Sequence, residues 1–171
     1  MNLDSIKEII KKENFRFQNQ ERFFNFFSTI LLEKLVSNKI NDRSNYINDG
    51  DRIVLDLIHK SSELNIKIKV DEYEIYVFID DFGYSMFQIS QQEKNSNQFY
   101  LDVIDFLKDS FEGNFNKELF YDKDRLVKEK FMWKKEKYPE AIYMPIKYLF
   151  LEKLGIKNYK LKKIINYPSF L

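Results

Sequence analysis

Residues 64–90, LNIKIKVDEYEIYVFIDDFGYSMFQIS, form the longest stretch of this chain dense in β-branched and aromatic residues. Two acidic pairs, Asp71-Glu72 and Asp80-Asp81, divide it into three runs. Such runs, bounded by turn-forming residues, read as strands. We read them as three antiparallel strands in a meander at the centre of a sheet. In the middle run, Tyr73, Ile75, Val77 and Ile79 fall on one face, and Glu72, Glu74, Tyr76, Phe78 and Asp80 on the other. The first face belongs to a core. The second starts acidic and turns aromatic, so part of it is expected to be covered. Leu64, Ile66, Ile68 and Val70 alternate with Asn65, Lys67 and Lys69, the pattern of a half-buried strand. The third run, Phe82 to Ser90, is less regular, and Gly83 suits a backbone position with positive φ. Turn chemistry accounts for Asp80 and Asp81 better than a metal or acid/base pair does.

A length of 171 residues fits one domain. We expect that domain to span 1–171, with a helical part over 1–62 and a sheet-centred part over 64–171. Seventeen Phe and eleven Tyr against four Gly and three Pro imply few loops and much packed aromatic surface. The absence of Cys excludes disulfides, thiolate metal sites and Cys nucleophiles. The start, MNLDSIKEIIKKENFRF, has no apolar core of a signal peptide. The greasiest segment, Phe23 to Leu32, is ten residues long, and a membrane-spanning helix needs roughly 20. The expectation is a soluble, cytoplasmic protein. Net charge is +1 but unevenly spread: residues 1–115 carry 14 Lys/Arg against 20 Asp/Glu, and residues 116–171 carry 14 against 7. Such asymmetry marks either a charged partner or two surfaces that neutralise one another.

Three helices are expected before the meander. Ile6, Ile9 and Ile10 mark a short one over 3–12, with Ser5-x-x-Glu8 as its capping box. A second runs from about Gln20 to Asn38, apolar most of the way round and therefore buried between layers. Residues 38–50 read as a loop. Ile53, Val54, Leu57 and Ile58 suggest a third helix over Asp51 to Ser62, beside which lies the only histidine, His59. With no Cys, second His or Ser-containing motif nearby, His59 is read as structural rather than as a general base.

After the meander, Ser96 or Asn97 caps a helix from about Gln98 to Glu112, and Gly113 ends it. Asp102, Asp105, Asp109 and Glu112 line up opposite its apolar arc. The stripe reads either as a solvated face or as an acidic contact surface. Residues 116–135 read as a hairpin turning at Asp122-Lys123-Asp124. Its cations and aromatics (Lys123, Arg125, Lys128, Lys130, Trp133, Lys134 and Lys135) either protect a sheet edge, which we prefer, or bind nucleic acid, with Trp133 and Tyr138 as stacking groups. Pro145 opens a helix that ends at Gly155, with Ile146, Leu149, Phe150 and Leu154 as its expected buried side. The tail from 158 to 171 fits a last strand or a short helix.

No P-loop, G-x-G-x-x-G, H-E-x-x-H, G-x-S-x-G or zinc-ligand spacing is present. Carboxylates converging in three dimensions could still serve a small hydrolase. The order of elements nevertheless resembles a known class. A compact Cys-free chain opens with helices and continues with the meander IKIKVDEYEIYVFIDDFGYSMFQIS, a helix with an acidic face, and the hairpin KELFYDKDRLVKEKFMWKK. It is similar to the small α+β immunity proteins of bacterial polymorphic toxin and contact-dependent growth inhibition systems. That resemblance implies a non-enzymatic inhibitor without cofactor or metal, whose partner is a cognate toxin domain, often a nuclease. The expected fold is α+β: one antiparallel sheet of about five strands with helices mainly on one face. Asp102, Asp105, Asp109 and Glu112 are the expected contact surface, with Glu72 and Glu74 as a second patch. Nucleic-acid binding by the basic hairpin is the alternative.

Overall fold

The computed structural model describes residues 1–62, 64–80, 82–88, 96–134, 138, 141–157 and 159–171, with backbone alone for 82–86 and 141. The fold is α+β and antiparallel throughout, but it holds two sheets rather than the single one expected. They lie in two compact units, Met1–Glu112 with Ser169–Leu171, and Gly113–Pro168. The acidic and basic halves of the sequence map onto these units, and Gly113–Pro168 carries 14 Lys/Arg against 7 Asp/Glu.

In the first unit, helix α1 (Leu3–Lys12) buries Leu3, Ile6 and Ile10. Its cap is Asn2, whose Oδ1 accepts from Ser5 N, in place of the expected Ser5 box. Helix α2 (Gln18–Ile30) buries Phe23, Phe24 and Phe27. It stops short of Asn38, and two tight 3-10 turns follow, Leu32–Lys34 and Ser37–Lys39. A continuous helix would set Leu32 about 140° round from Phe27. The tighter turns bury Leu32 and Leu35 as well.

Strands β1 (Asn45–Asn48), β2 (Ile53–Ile58), β3 (Asn65–Val70), β4 (Glu74–Ile79) and β5 (Phe82–Gln88) form an antiparallel meander in chain order. The three strands read between 64 and 90 are present. Two more precede them, where a loop and a third helix were expected. In β2 the buried residues are Ile53, Leu55 and Leu57, a period of two. The quartet Ile53, Val54, Leu57 and Ile58 fits a helix, whereas Ile53, Leu55 and Leu57 fit a period of two, and pairing with β3 selects the strand. Residues 1–62 are thus not purely helical.

Cross-strand rows Ile53–Val70–Ile75, Leu55–Ile68–Val77 and Leu57–Ile66–Ile79 line one face of this sheet, and all nine side chains are buried. Tyr73 lies outside β4 and is exposed rather than part of that face. The positive φ of the β4–β5 turn is at Asp80, while Gly83 sits within β5; Asp81 lies outside the described residues. Helix α3 (Asn97–Phe111) has Ser96 as its N-cap, as read, and buries Tyr100, Val103, Ile104, Phe106, Leu107 and Phe111. Buried Asn19 of α2 joins two distant segments: its Nδ2 donates to Asp71 O at 2.8 Å, and its Oδ1 accepts from Tyr100 Oη at 3.1 Å.

In the second unit, β6 (Phe115–Asp122) and β7 (Arg125–Trp133) form the expected hairpin, with Lys123 at φ 56 in its turn. Strand β8 (Ala141–Tyr143) adds to β7, and β9 (Lys160–Asn166) adds to β6, so the tail is a strand. The order is β8-β7-β6-β9. The hairpin lysines therefore sit on the two central strands, and the edge-protection reading fails. Helix α4 (Ile146–Lys153) connects β8 to β9, with Pro145 as N-cap and Gly155 at φ 77 beyond its end.

Candidate functional site

Helix α4 is short, eight residues between Pro145 and the glycine turn. Its Tyr148 hydroxyl and Glu152 carboxylate face the protein, while Lys147 and Lys153 are exposed. Tyr148 is buried and donates from its hydroxyl to Asp122 Oδ2 at 3.2 Å. Glu152 Oε1 accepts from Lys128 Nζ at 3.1 Å and from Tyr159 Oη at 2.6 Å. Lys128 Nζ also stands 5.5 Å from the Phe120 ring centre and 5.6 Å from that of Tyr159. A cation between two rings and a carboxylate is well held. These bonds from Tyr159 and Lys128 hold the Glu152 carboxyl below its ordinary value. Burial, then the bond to Glu152, pushes the Tyr159 hydroxyl up to about 12.

Because these groups point inward, the aliphatic ones point out. Ile146, Leu149, Phe150 and Leu154, at offsets 0, 3, 4 and 8, share one helix face. They were expected to be the buried side, and the structure reverses this: Ile146 is 85% exposed, Phe150 62%, Leu154 59% and Leu149 45%. Ile156 just beyond is also exposed. The sheet contributes more. Ile142 pairs with Lys130, Glu118 with Ile164, and Phe120 with Leu161, which places Ile142, Ile164 and Leu161 on the face that carries Lys128. All three are exposed. Single exposed aliphatics are ordinary, but a grouped set marks a contact surface. The surroundings are basic. Lys147, Lys153 and Lys157 are exposed, and over residues 141–168 Glu152 is the lone acid, whereas β9 places Lys160 and Lys163 on the other face of the sheet and Lys162 pairs with Asp124 at 3.2 Å.

The acidic stripe of α3 is broken. Asp102 and Asp105 are exposed, and Asp102 Oδ1 accepts from Gln98 Nε2. Asp109 is buried at 6% exposure, and Glu112 is half-buried, 4.0 Å from Lys108. Four acids at helical spacing looked equivalent in sequence, yet Asp109 lies on the rim of the apolar arc. The second patch is better formed. Glu72 and Glu74 join Asp51, Asp71, Arg16, Phe17 and Tyr73 around an open cleft of about 590 Å³. Its carboxylates are engaged, and Asp51 pairs with Arg16. Asp71 Oδ1 accepts from Tyr73 N and Glu74 N, and Glu74 accepts from the Tyr76 hydroxyl and Gln88. Those bonds hold Glu74 below its ordinary value, whereas the general acid of a hydrolytic pair needs a raised one. Among the described residues no group of three or more His, Asp or Glu side chains is placed to hold a metal ion.

The basic hairpin is dispersed. Lys123 and Arg125 are exposed at its tip, Lys128 is tied to Glu152, and Lys130 is half-buried. Lys134 Nζ donates to Gly113 O at 2.9 Å. Trp133 packs edge-on against Phe115, Phe131 and Tyr138, so neither it nor Tyr138 offers an open stacking platform. Lys135 lies outside the described residues. His59 is buried, edge-on to Phe170 at 5.0 Å, with Nδ1 near Ser61, which is a structural setting.

The α4 face was therefore missed by the sequence reading, although its spacing was seen. A signal was available in the lysines that interleave the apolar residues from 146 to 163. No family model matches this chain, and no curated protein or solved structure matches it significantly.

Proposed function

We propose that this protein is a non-enzymatic binding module, an immunity protein that sequesters a cognate bacterial toxin domain, with α4 as the centre of its contact face. The observation that carries this reading is the outward apolar side of α4. Leaving Ile146, Leu149, Phe150 and Leu154 partly in water forgoes a share, in proportion to their exposure, of the about 1.5–3 kcal/mol that full burial supplies per side chain. A partner that covers them recovers that energy, and clustered apolar side chains are the usual anchors of an interface. The acidic pair left on α3, Asp102 with Asp105, and the Glu72/Glu74 cleft become secondary surfaces.

The test is functional. The source cell's candidate toxin, encoded beside this gene, is expressed alone and with this protein. We expect growth arrest by the toxin, rescue by the native chain, and loss of rescue for Phe150→Asp combined with Leu154→Asp. Rescue that survives both substitutions moves the contact face elsewhere. A neighbouring gene without toxicity, and no stoichiometric partner on purification, removes the immunity reading.

One observation favours a second reading. The excess of cations in Gly113–Pro168 suits nucleic acid, with Lys123 and Arg125 exposed at the hairpin tip. That binding would fall steeply with salt, and no binding at low salt ends it.

A further inference from the structure

We infer that the α4 face takes an acidic protein surface, one that presents apolar side chains framed by Asp and Glu. The inference rests on the binding reading above and names the chemistry of the partner. The helix offers an apolar stripe, Ile146, Leu149, Phe150 and Leu154, one turn after another along about 12 Å of axis. Lys147 and Lys153 lie on the same eight-residue helix, and Lys157 follows its end. All three are exposed, and the single carboxylate of the helix, Glu152, is turned inward onto Lys128 and Tyr159. The face is thus apolar at its centre and of one sign around it.

Charge then selects the occupant. A second copy meeting this face with its own, as two-fold symmetry requires, would oppose lysine to lysine. A basic partner meets the same repulsion. An anionic bilayer matches the sign but not the layout. Lys153 sits inside the stripe, at offset 7 between Phe150 and Leu154, so insertion of those two side chains carries an ammonium group towards hydrocarbon. A protein surface can set a carboxylate opposite Lys153 while it covers its neighbours.

The experiment uses the full chain and three short amphipathic peptides that share one Leu/Phe face and carry Glu, Gln or Lys on the other. Binding is read by titration calorimetry and by NMR shifts of α4 amides. The expected result is that the Glu peptide binds about tenfold tighter than the Gln peptide, that the Lys peptide binds weakest, and that the Glu advantage vanishes at high salt. The variant Lys147→Gln/Lys153→Gln/Lys157→Gln, which alters only exposed side chains, should lose the Glu preference and keep Gln-peptide binding. Equal or better binding of the Gln or Lys peptide overturns the inference. So does the absence of any α4 shift, saturable binding to phosphatidylcholine vesicles containing phosphatidylglycerol, or self-association through α4 in sedimentation. Rescue from a toxin with a non-acidic contact would overturn this inference and leave the immunity reading standing. An acidic peptide preference with no toxic partner would do the reverse.

Discussion

Lys128 of β7 and Glu152 of α4 form an ion pair of 3.1 Å, with side chains 11% and 24% exposed. The pair, together with the Tyr148–Asp122 bond, fixes which side of α4 meets the sheet. With Tyr148 and Glu152 engaged inward, the helix presents Ile146, Leu149, Phe150 and Leu154 outward beside Lys147 and Lys153.

Glu152→Gln keeps the side chain's shape and removes its charge. Losing charge-assisted bonds to Lys128 and Tyr159 should cost about 1–2 kcal/mol, discounted for partial exposure. Urea unfolding at neutral pH measures it. Since the Glu152 carboxyl is held below 4.5, the native pair contributes fully above that value and is lost as pH falls beneath it. An unchanged urea midpoint would show that α4 is held by other means.

Two phenylalanines should behave oppositely. Phe27 is fully buried among Phe23, Phe24 and Phe111, and Phe27→Ala should cost about 3–5 kcal/mol. Phe150→Ser removes an exposed ring and should stay within about 0.5 kcal/mol of the native chain. Chemical denaturation of both variants checks this, and a large loss at Phe150 would mean that its ring packs inside the fold.

Gly113 combines φ +68 with backbone contact: a Cβ there would lie 2.5 Å from Tyr167 O and 3.0 Å from Pro168 C. Neither backbone atom can rotate away. Gly113→Ala should therefore destabilise by about 2 kcal/mol or more, with lowered soluble yield and thermal midpoint. A native-like melting curve would contradict the close approach.

His59 contributes pH dependence to the first unit below its ordinary value of 6.5. Burial pushes its imidazole below the ordinary 6.5; the Ser169 carbonyl opposes this, and the Lys39 charge reinforces it. The unfolded chain then binds the proton more readily. The stabilising contribution is complete above 6.5 and is lost as pH falls from 6.5 through the folded value. Denaturation between about pH 7 and pH 5 should show this slope, and His59→Gln should flatten it. Glu33 and Glu74, held below 4.5, act only at lower pH.

The meander was legible because its information is local. Ile66, Ile68 and Val70, then Ile75, Val77 and Ile79, alternate with period two over whole strands, and turn residues separate them. Ser96 and Gly113 likewise mark the ends of α3 by chemistry within a residue or two. Segment 51–62 was misread because its aliphatics contain both a helical set, Ile53, Val54, Leu57 and Ile58, and an alternating one, Ile53, Leu55 and Leu57, and β3 arbitrates from beyond the segment. Asp109 was misplaced because helical spacing gives an angle but not the width of the buried arc.

Residue order alone therefore determined the antiparallel α+β character, the strands of the meander, the hairpin, and the limits of α3 and α4. Each depends on periodicity and on end signals read within one segment. Tertiary structure decided the division into two sheets, the central place of the hairpin lysines and the outward apolar side of α4. These depend on pairings between distant segments, β6 with β9 and Lys128 with Glu152. An amphipathic helix has a polar side and an apolar side by sequence, but which one meets the protein is settled by the groups that wait for it.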